Sequence, residues 1–212
     1  MVDGRGPCQD LVRAGRKVVA AGLVVGSGGN LSARAEDPDE IWVTPTGAWL
    51  DELSVGELSR VRVRDGSLIS GPAPTSELAL HVATYRARPD VSAIIHLHPQ
   101  ALLLLDALDE PVRLVTTDHR FFVRRVARTP FHPPGGTEVA EAAADASRDG
   151  TDCVVLGNHG CSVLGDSVDL ALKRVFNLEE AARLTYAALA LGRADSLRGL
   201  PPEWPGGSSV SV

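Results

Sequence analysis

The sequence predicts an α/β layered fold around a mixed, largely antiparallel sheet, on two observations. Short apolar and β-branched runs alternate along the chain with longer segments of helical periodicity, the interleaving that stacks helices on a sheet. Between Val61-Arg62-Val63 and Ser67-Leu68-Ile69 stands Asp65-Gly66, a strong hairpin signal, so at least part of the sheet is antiparallel. The 212 residues suffice for one well-buried core. At about 150 residues per domain, a single domain over 1–200 is expected.

From Gln9 to Leu23, Leu11, Ala14, Val18 and Val19 recur on one side with Arg13, Arg16 and Lys17 between them, as an amphipathic helix requires. Val25-Gly26-Ser27-Gly28-Gly29-Asn30-Leu31-Ser32 follows. Its glycines either cradle a small anion with backbone N–H groups or simply turn the chain into a strand. It is neither a Walker loop nor a dinucleotide fingerprint. Ile41–Thr44 reads as a strand ended by Pro45-Thr46-Gly47, and Ser54–Leu58 as a short helix before the hairpin. Gly71 to Glu77 leads stiffly into a helix capped by Thr75 or Ser76, with Leu78, Val82 and Tyr85 on one face and Arg88-Pro89 at its end.

Ile94–His98 is the next strand and Ala101–Leu105 a buried helix. Val112–Val115 and Phe121–Val126 read as further strands, and Thr137–Ser147 as an alanine-rich helix. Val154–Leu156 and Ser162–Leu164 are strands around a turn that carries His159. A long helix from about Ser167 to Leu191 spaces Leu170, Val175, Leu178, Ala182 and Thr185 for packing, and the Pro/Gly/Ser-rich tail 201–212 is expected to lack order.

Composition excludes several classes. Lys+Arg 21 against Asp+Glu 27 gives a net charge of −6 without a basic run, so no nucleic-acid partner is expected. Cys8, Cys153 and Cys161 form no CxxC pair and are odd in number, which fits a reducing, cytoplasmic setting. No signal-peptide core stands at the N-terminus and no apolar run reaches membrane-spanning length, so no membrane association is expected.

The chemistry concentrates in Ile94-Ile95-His96-Leu97-His98-Pro99. Histidines two apart on an extended segment share one face and can reach one ion. His159, in a glycine-bounded turn after a strand, can aim its ring sideways at the same point. A histidine alone is more often merely hydrogen-bonded. Three of them with the nearby carboxylate of Glu77 suit a Zn²⁺ site that keeps a position for substrate. His81 lies outside these motifs and is expected to be dispensable.

Taken together, Gly26-Ser27-Gly28-Gly29-Asn30-Leu31-Ser32, Thr44-Pro45-Thr46-Gly47, Pro74-Thr75-Ser76-Glu77, His96-Leu97-His98 and Asn158-His159-Gly160 resemble, in order and spacing, the class II aldolase/adducin family over roughly residues 8 to 190. The resemblance implies a three-layer α/β/α fold and a homotetramer with active sites between neighbouring subunits. It implies that His96, His98, His159 and Glu77 hold one Zn²⁺, or another divalent ion, per subunit, with Glu77 also the acid/base. It places Gly29, Asn30, Thr46, Gly47, Thr75 and Ser76 where family members hold a substrate phosphate. The implied reaction is reversible cleavage of a ketose 1-phosphate, of the L-fuculose or 5-deoxy-pentulose type, to dihydroxyacetone phosphate and an aldehyde. Pentulose-phosphate 4-epimerase, sugar-phosphate dehydratase or 3-oxo-acid-phosphate decarboxylase chemistry stays open on the same site. A non-catalytic adducin-like scaffold is disfavoured by the retained ligands.

Residue chemistry agrees. The only lysines, Lys17 and Lys173, stand outside every site loop, so a Schiff-base aldolase is not expected and a metal ion takes its place. Glu77 is expected to have a carboxyl raised by a partly dry site while the cation pulls it down. The family's proton-transferring tyrosine has no counterpart, because Tyr85 and Tyr186 both fall on helices. Asp118 and His119, in Thr116-Thr117-Asp118-His119-Arg120-Phe121, are the expected substitutes across a subunit boundary.

Overall fold

The computed structural model describes residues 6–201. Its helices are α1 (Pro7–Ala20), α2 (Leu78–Ala87), α3 (Gln100–Ala107), α4 (Thr137–Ser147) and α5 (Val168–Ala190). Its strands are β1 (Asn30–Arg34), β2 (Glu40–Val43), β3 (Ser59–Arg62), β4 (Leu68–Ser70), β5 (Ala93–Leu97), β6 (Val126–Thr129), β7 (Cys153–Leu156) and β8 (Gly160–Gly165). The strands form one sheet in the order β4-β3-β2-β1-β5-β8-β7-β6. Every neighbouring pair is antiparallel except β6 with β7, so the sheet is mixed and largely antiparallel as expected.

Helices cover both faces. On one, Leu11 and Val18 of α1, Leu102 and Leu105 of α3, and Val175, Leu178 and Ala182 of α5 pack against Leu31, Ile95, Leu97 and Val163. On the other, Val82 and Tyr85 of α2 pack against Ile41, Val43, Val61 and Ile94, and Val139 and Ala143 of α4 against Val154 and Leu156. β5 divides its residues by the period of two: Ala93, Ile95 and Leu97 face α1, α3 and α5, whereas Ile94 faces α2. His96 therefore falls on the α2 side, opposite Asn30 across the β1–β5 ladder.

Local chemistry sets the boundaries. Ser167 caps α5 by accepting from Leu170 N–H, and Ser54 with Glu57 closes a capping box on the 3₁₀ turn Val55–Glu57. The Asp65-Gly66 hairpin joins β3 to β4, with Gly66 at φ +73°. α2 starts one step later than expected. Glu77 is its N-cap residue, while Thr75 Oγ1 accepts from Glu77 N–H at 3.2 Å.

Two expected strands are absent. Over Val112–Val115 two backbone donors are taken by side chains rather than a ladder: Arg113 N–H donates to Thr185 Oγ1 and Val115 N–H to His119 Nδ1. The first half of Phe121–Val126 instead belongs to a π-helical turn, His119–Val123, and strand structure resumes only at Val126. An apolar, aromatic run of this length is compatible with either state, and His119 decides it by bonding back to Val115 and Thr116. The tail expected to lack order lies, from residue 202 on, outside the described residues. No helix among the described residues is long and apolar enough to cross a membrane.

Candidate metal centre

The end of β5, the β7–β8 turn and the start of α2 bring Glu77, His96, His98 and His159 together, with one potential ligand atom from each lying within 4.8 Å of the others. His96 Nε2 stands 3.0 Å from His98 Nε2 and 3.0 Å from Glu77 Oε2. His159 Nε2 stands 3.1 Å from Glu77 Oε1. These spacings approach the edges of a tetrahedron whose metal–ligand bonds are about 2.0–2.1 Å, edges of about 3.3 Å. Glu77 Oε1, despite the nearness of His159, has no hydrogen bond of acceptable direction, and the buried His96 Nδ1 and His159 Nδ1 are also unpartnered. Converging lone pairs and an orphaned carboxylate oxygen are what a divalent cation satisfies. His96 is fully buried, while His98 and His159 are half-buried, so the cluster has a dry back and an open front.

The backbone is shaped for this approach. Gly29, at φ +80°, runs so close under β5 that a Cβ would come within 2.7 Å of His96 O. A Cβ at Gly160 would come within 2.5 Å of both His98 Cδ2 and Leu97 O. The His159 turn is pinned at Asn158, whose φ is +52° and whose N–H donates to Asp106 Oδ2 at 2.6 Å. Arg128 in turn holds Asp106 through its Nε and Nη2 atoms.

Behind the cluster lies a buried polar chain. Asn30 Nδ2 donates to Glu77 Oε2 at 2.9 Å, and Asn30 Oδ1 faces His81 Nε2 at 2.5 Å. His81 Nδ1 is 2.7 Å from Ser32 Oγ, itself 3.0 Å from the Tyr85 hydroxyl. His81, which the sequence placed outside the site motifs, is fully buried and bonded through both ring nitrogens. Burial first, then the neighbouring His96, push its pKa down to about 3, and burial with His96 and His159 pushes that of His98 down to about 4. Neutral imidazoles of this kind are the form that binds metal. At Glu77 burial acts upward, yet the His159 and His96 rings and the Asn30 amide outweigh it and hold the carboxyl well below the usual range. The raised carboxyl expected from the sequence is therefore not what the chain's own groups produce.

Three loops meet beside this chain. Pro45 and Pro74 form an antiparallel bridge, flanked by Thr75 N–H donating to Thr44 O and Thr46 N–H to Ala73 O. Thr46, Gly47 and Ser76 are exposed and Thr75 is buried, with Gly29 close by under β5. Asn30 differs from the others, because both ends of its amide are committed to Glu77 and His81.

Residues 9–186 match the model of the class II aldolase and adducin N-terminal domain. The chain belongs to this family. It is a metal-dependent lyase by that membership and by its relatives. An L-fuculose phosphate aldolase of Methanocaldococcus jannaschii is 35% identical over 181 residues, 85% of this chain and 96% of that protein. A 3-oxo-tetronate 4-phosphate decarboxylase of Haemophilus influenzae is also 35% identical over 181 residues, 83% of this chain and 85% of that protein. The solved structure of an L-fuculose 1-phosphate aldolase superposes with a TM-score of 0.83 at 28% identity, covering 93% of this chain and 91% of that one.

In this member of the family, Asp118 and His119 are not part of the four-residue cluster. Asp118 is exposed, whereas His119 is fully buried, with Nδ1 accepting from Val115 and Thr116 N–H and Nε2 3.1 Å from Glu180 Oε2. Sequence reasoning missed Asp106, just beyond the helix read over Ala101–Leu105, and the partners of His81. It also missed the connection Pro130–Gly136, which carries half-buried His132. A Cβ at Gly157 would come within 2.8 Å of Phe131 N, and one at Gly135 within 3.1 Å of Ser76 O, so this connection flanks the site. Only the parallel β6–β7 pairing brings it there, and no local motif signals it.

Proposed function

We propose that this chain is a Zn²⁺-dependent aldolase that reversibly cleaves a ketose 1-phosphate, of the L-fuculose or 5-deoxy-pentulose type, into dihydroxyacetone phosphate and an aldehyde. The observation that carries this reading is the convergence of three imidazoles and Glu77, with an orphaned carboxylate oxygen among them. Three nitrogens and one oxygen suit Zn²⁺ over the harder Mg²⁺ or Ca²⁺. The ion, when bound, supplies Lewis-acid polarisation of a carbonyl and its neighbouring hydroxyl.

The chain's own groups do the rest. Glu77 moves the proton to and from the carbon beside the carbonyl, with Asn30 orienting its carboxylate. The loops around Gly29, Thr46-Gly47 and Thr75-Ser76 hold the phosphate with backbone and hydroxyl donors, without lysine. Four copies assemble with sites between neighbours, and exposed Asp118, on a turn anchored by His119, takes the proton of the departing aldehyde's hydroxyl in the adjoining site. Cys8, Cys153 and Cys161 are free, in keeping with a reducing cytoplasm.

A second reading is decarboxylation of a 3-oxo sugar-acid phosphate, and a specific observation favours it. Tyr85 is buried with its hydroxyl engaged by Ser32, and Tyr186 is exposed on α5. Carbon dioxide leaves without a hydroxyl proton to remove, so this reaction needs no base at the far end of the substrate. Product analysis over a panel of ketose 1-phosphates and 3-oxo-tetronate 4-phosphates decides. Dihydroxyacetone phosphate is expected from the first group; carbon dioxide from the second, with the first inert, replaces the aldolase reading.

A further inference from the structure

We propose that His81 is a positioning residue that locks the amide of Asn30 with its N–H toward Glu77, and thereby sets how tightly the cluster binds a divalent ion. The inference rests on the reading of Glu77 as a metal-binding acid/base.

The hydrogen-bond chain has one consistent direction. An ionised Glu77 only accepts, so Asn30 Nδ2 donates to it at 2.9 Å and Asn30 Oδ1 must accept. Its partner at 2.5 Å is His81 Nε2, which therefore carries the proton. The neutral ring then presents a bare Nδ1, which accepts from Ser32 Oγ at 2.7 Å, and the Ser32 oxygen accepts the Tyr85 hydroxyl proton at 3.0 Å. Asn30 and Ser32 share one face of β1, and Glu77, His81 and Tyr85 follow at four-residue intervals along α2. Every donor points toward Glu77. The chain cannot conduct protons, because passage through Asn30 would require an imidic acid. It orients.

Asn30 has no preference of its own between its two amide orientations. With oxygen forward it would set a lone pair against the Glu77 carboxylate, and the His81 N–H, by holding Oδ1 on the far side, reinforces the carboxylate in excluding this. The outer partners of metal ligands typically affect metal affinity or activity by about 10–100-fold.

The test titrates the metal-free full chain with Co²⁺, read by its visible absorption, and runs thermal unfolding alongside. His81→Leu is expected to weaken Co²⁺ binding by about 10–100-fold. His81→Gln, whose amide N–H can stand where Nε2–H does, is expected to recover most of the affinity. His81→Asn, too short to reach Asn30, is not. Wild-type affinity in folded His81→Leu overturns the proposal. Should that variant not fold, equal affinities in the Gln and Asn variants overturn it. A wild-type chain that binds no Co²⁺ overturns the Glu77 reading beneath it instead.

Discussion

Asp106 Oδ2 accepts a hydrogen bond from Asn158 N–H at 2.6 Å across 52 positions of sequence. The contact joins the last turn of α3 to the turn that aims His159. Asp106→Ala removes the anchor of a residue held at φ +52° and is expected to weaken divalent-metal affinity by about 10–100-fold while circular dichroism stays unchanged. Calorimetric titration measures it, and unchanged affinity would show that the turn holds itself.

Gly160→Ala is expected to cost about 1–3 kcal/mol of stability, since the new methyl meets Leu97 O and His98 Cδ2 at 2.5 Å. Metal retention should suffer as well, because His98 is the group that must move. A urea titration with metal analysis on the same sample checks both, and a variant as stable and as metal-loaded as wild type refutes the close packing.

The metal-free chain should lose stability as acid is added. His81 is held to about 3 and His98 to about 4 from an ordinary 6.5, so between those values the unfolded chain binds protons that the native chain refuses. The stability is complete above about 6.5 and falls progressively below it; Glu77, held low, acts in the same direction at more acid pH. Urea midpoints at about pH 7.5 and 5 measure this, and a higher midpoint at the lower pH contradicts it.

Glu77→Gln separates base from ligand. It should keep much of the metal and lose exchange of the substrate's α-proton with deuterated solvent, a loss of about 10²–10⁴-fold for a positioned base. Rapid exchange in this variant moves the base elsewhere.

Much of the site was legible because its residues travel in short motifs. A two-residue period puts His96 and His98 on one side of an extended segment, and the glycines around His159 mark a turn. What was not legible depends on long-range contact. Val112–Val115 has strand composition, but Thr185 and His119 take two of its backbone donors. His81 looked incidental because Asn30, which makes it matter, stands 51 positions earlier. The four-residue spacing of Glu77, His81 and Tyr85 was present in the sequence, yet its meaning needed β1 beside it.

The central claim is that four side chains of this chain hold one catalytic ion. Metal content per chain, measured after purification and dialysis for wild type, His96→Ala, His98→Ala and His159→Ala, tests it most directly. One Zn²⁺ per wild-type chain and almost none in each folded variant is the expected result. Stoichiometric metal in all three variants, or none in wild type even after Zn²⁺ is supplied, would contradict it.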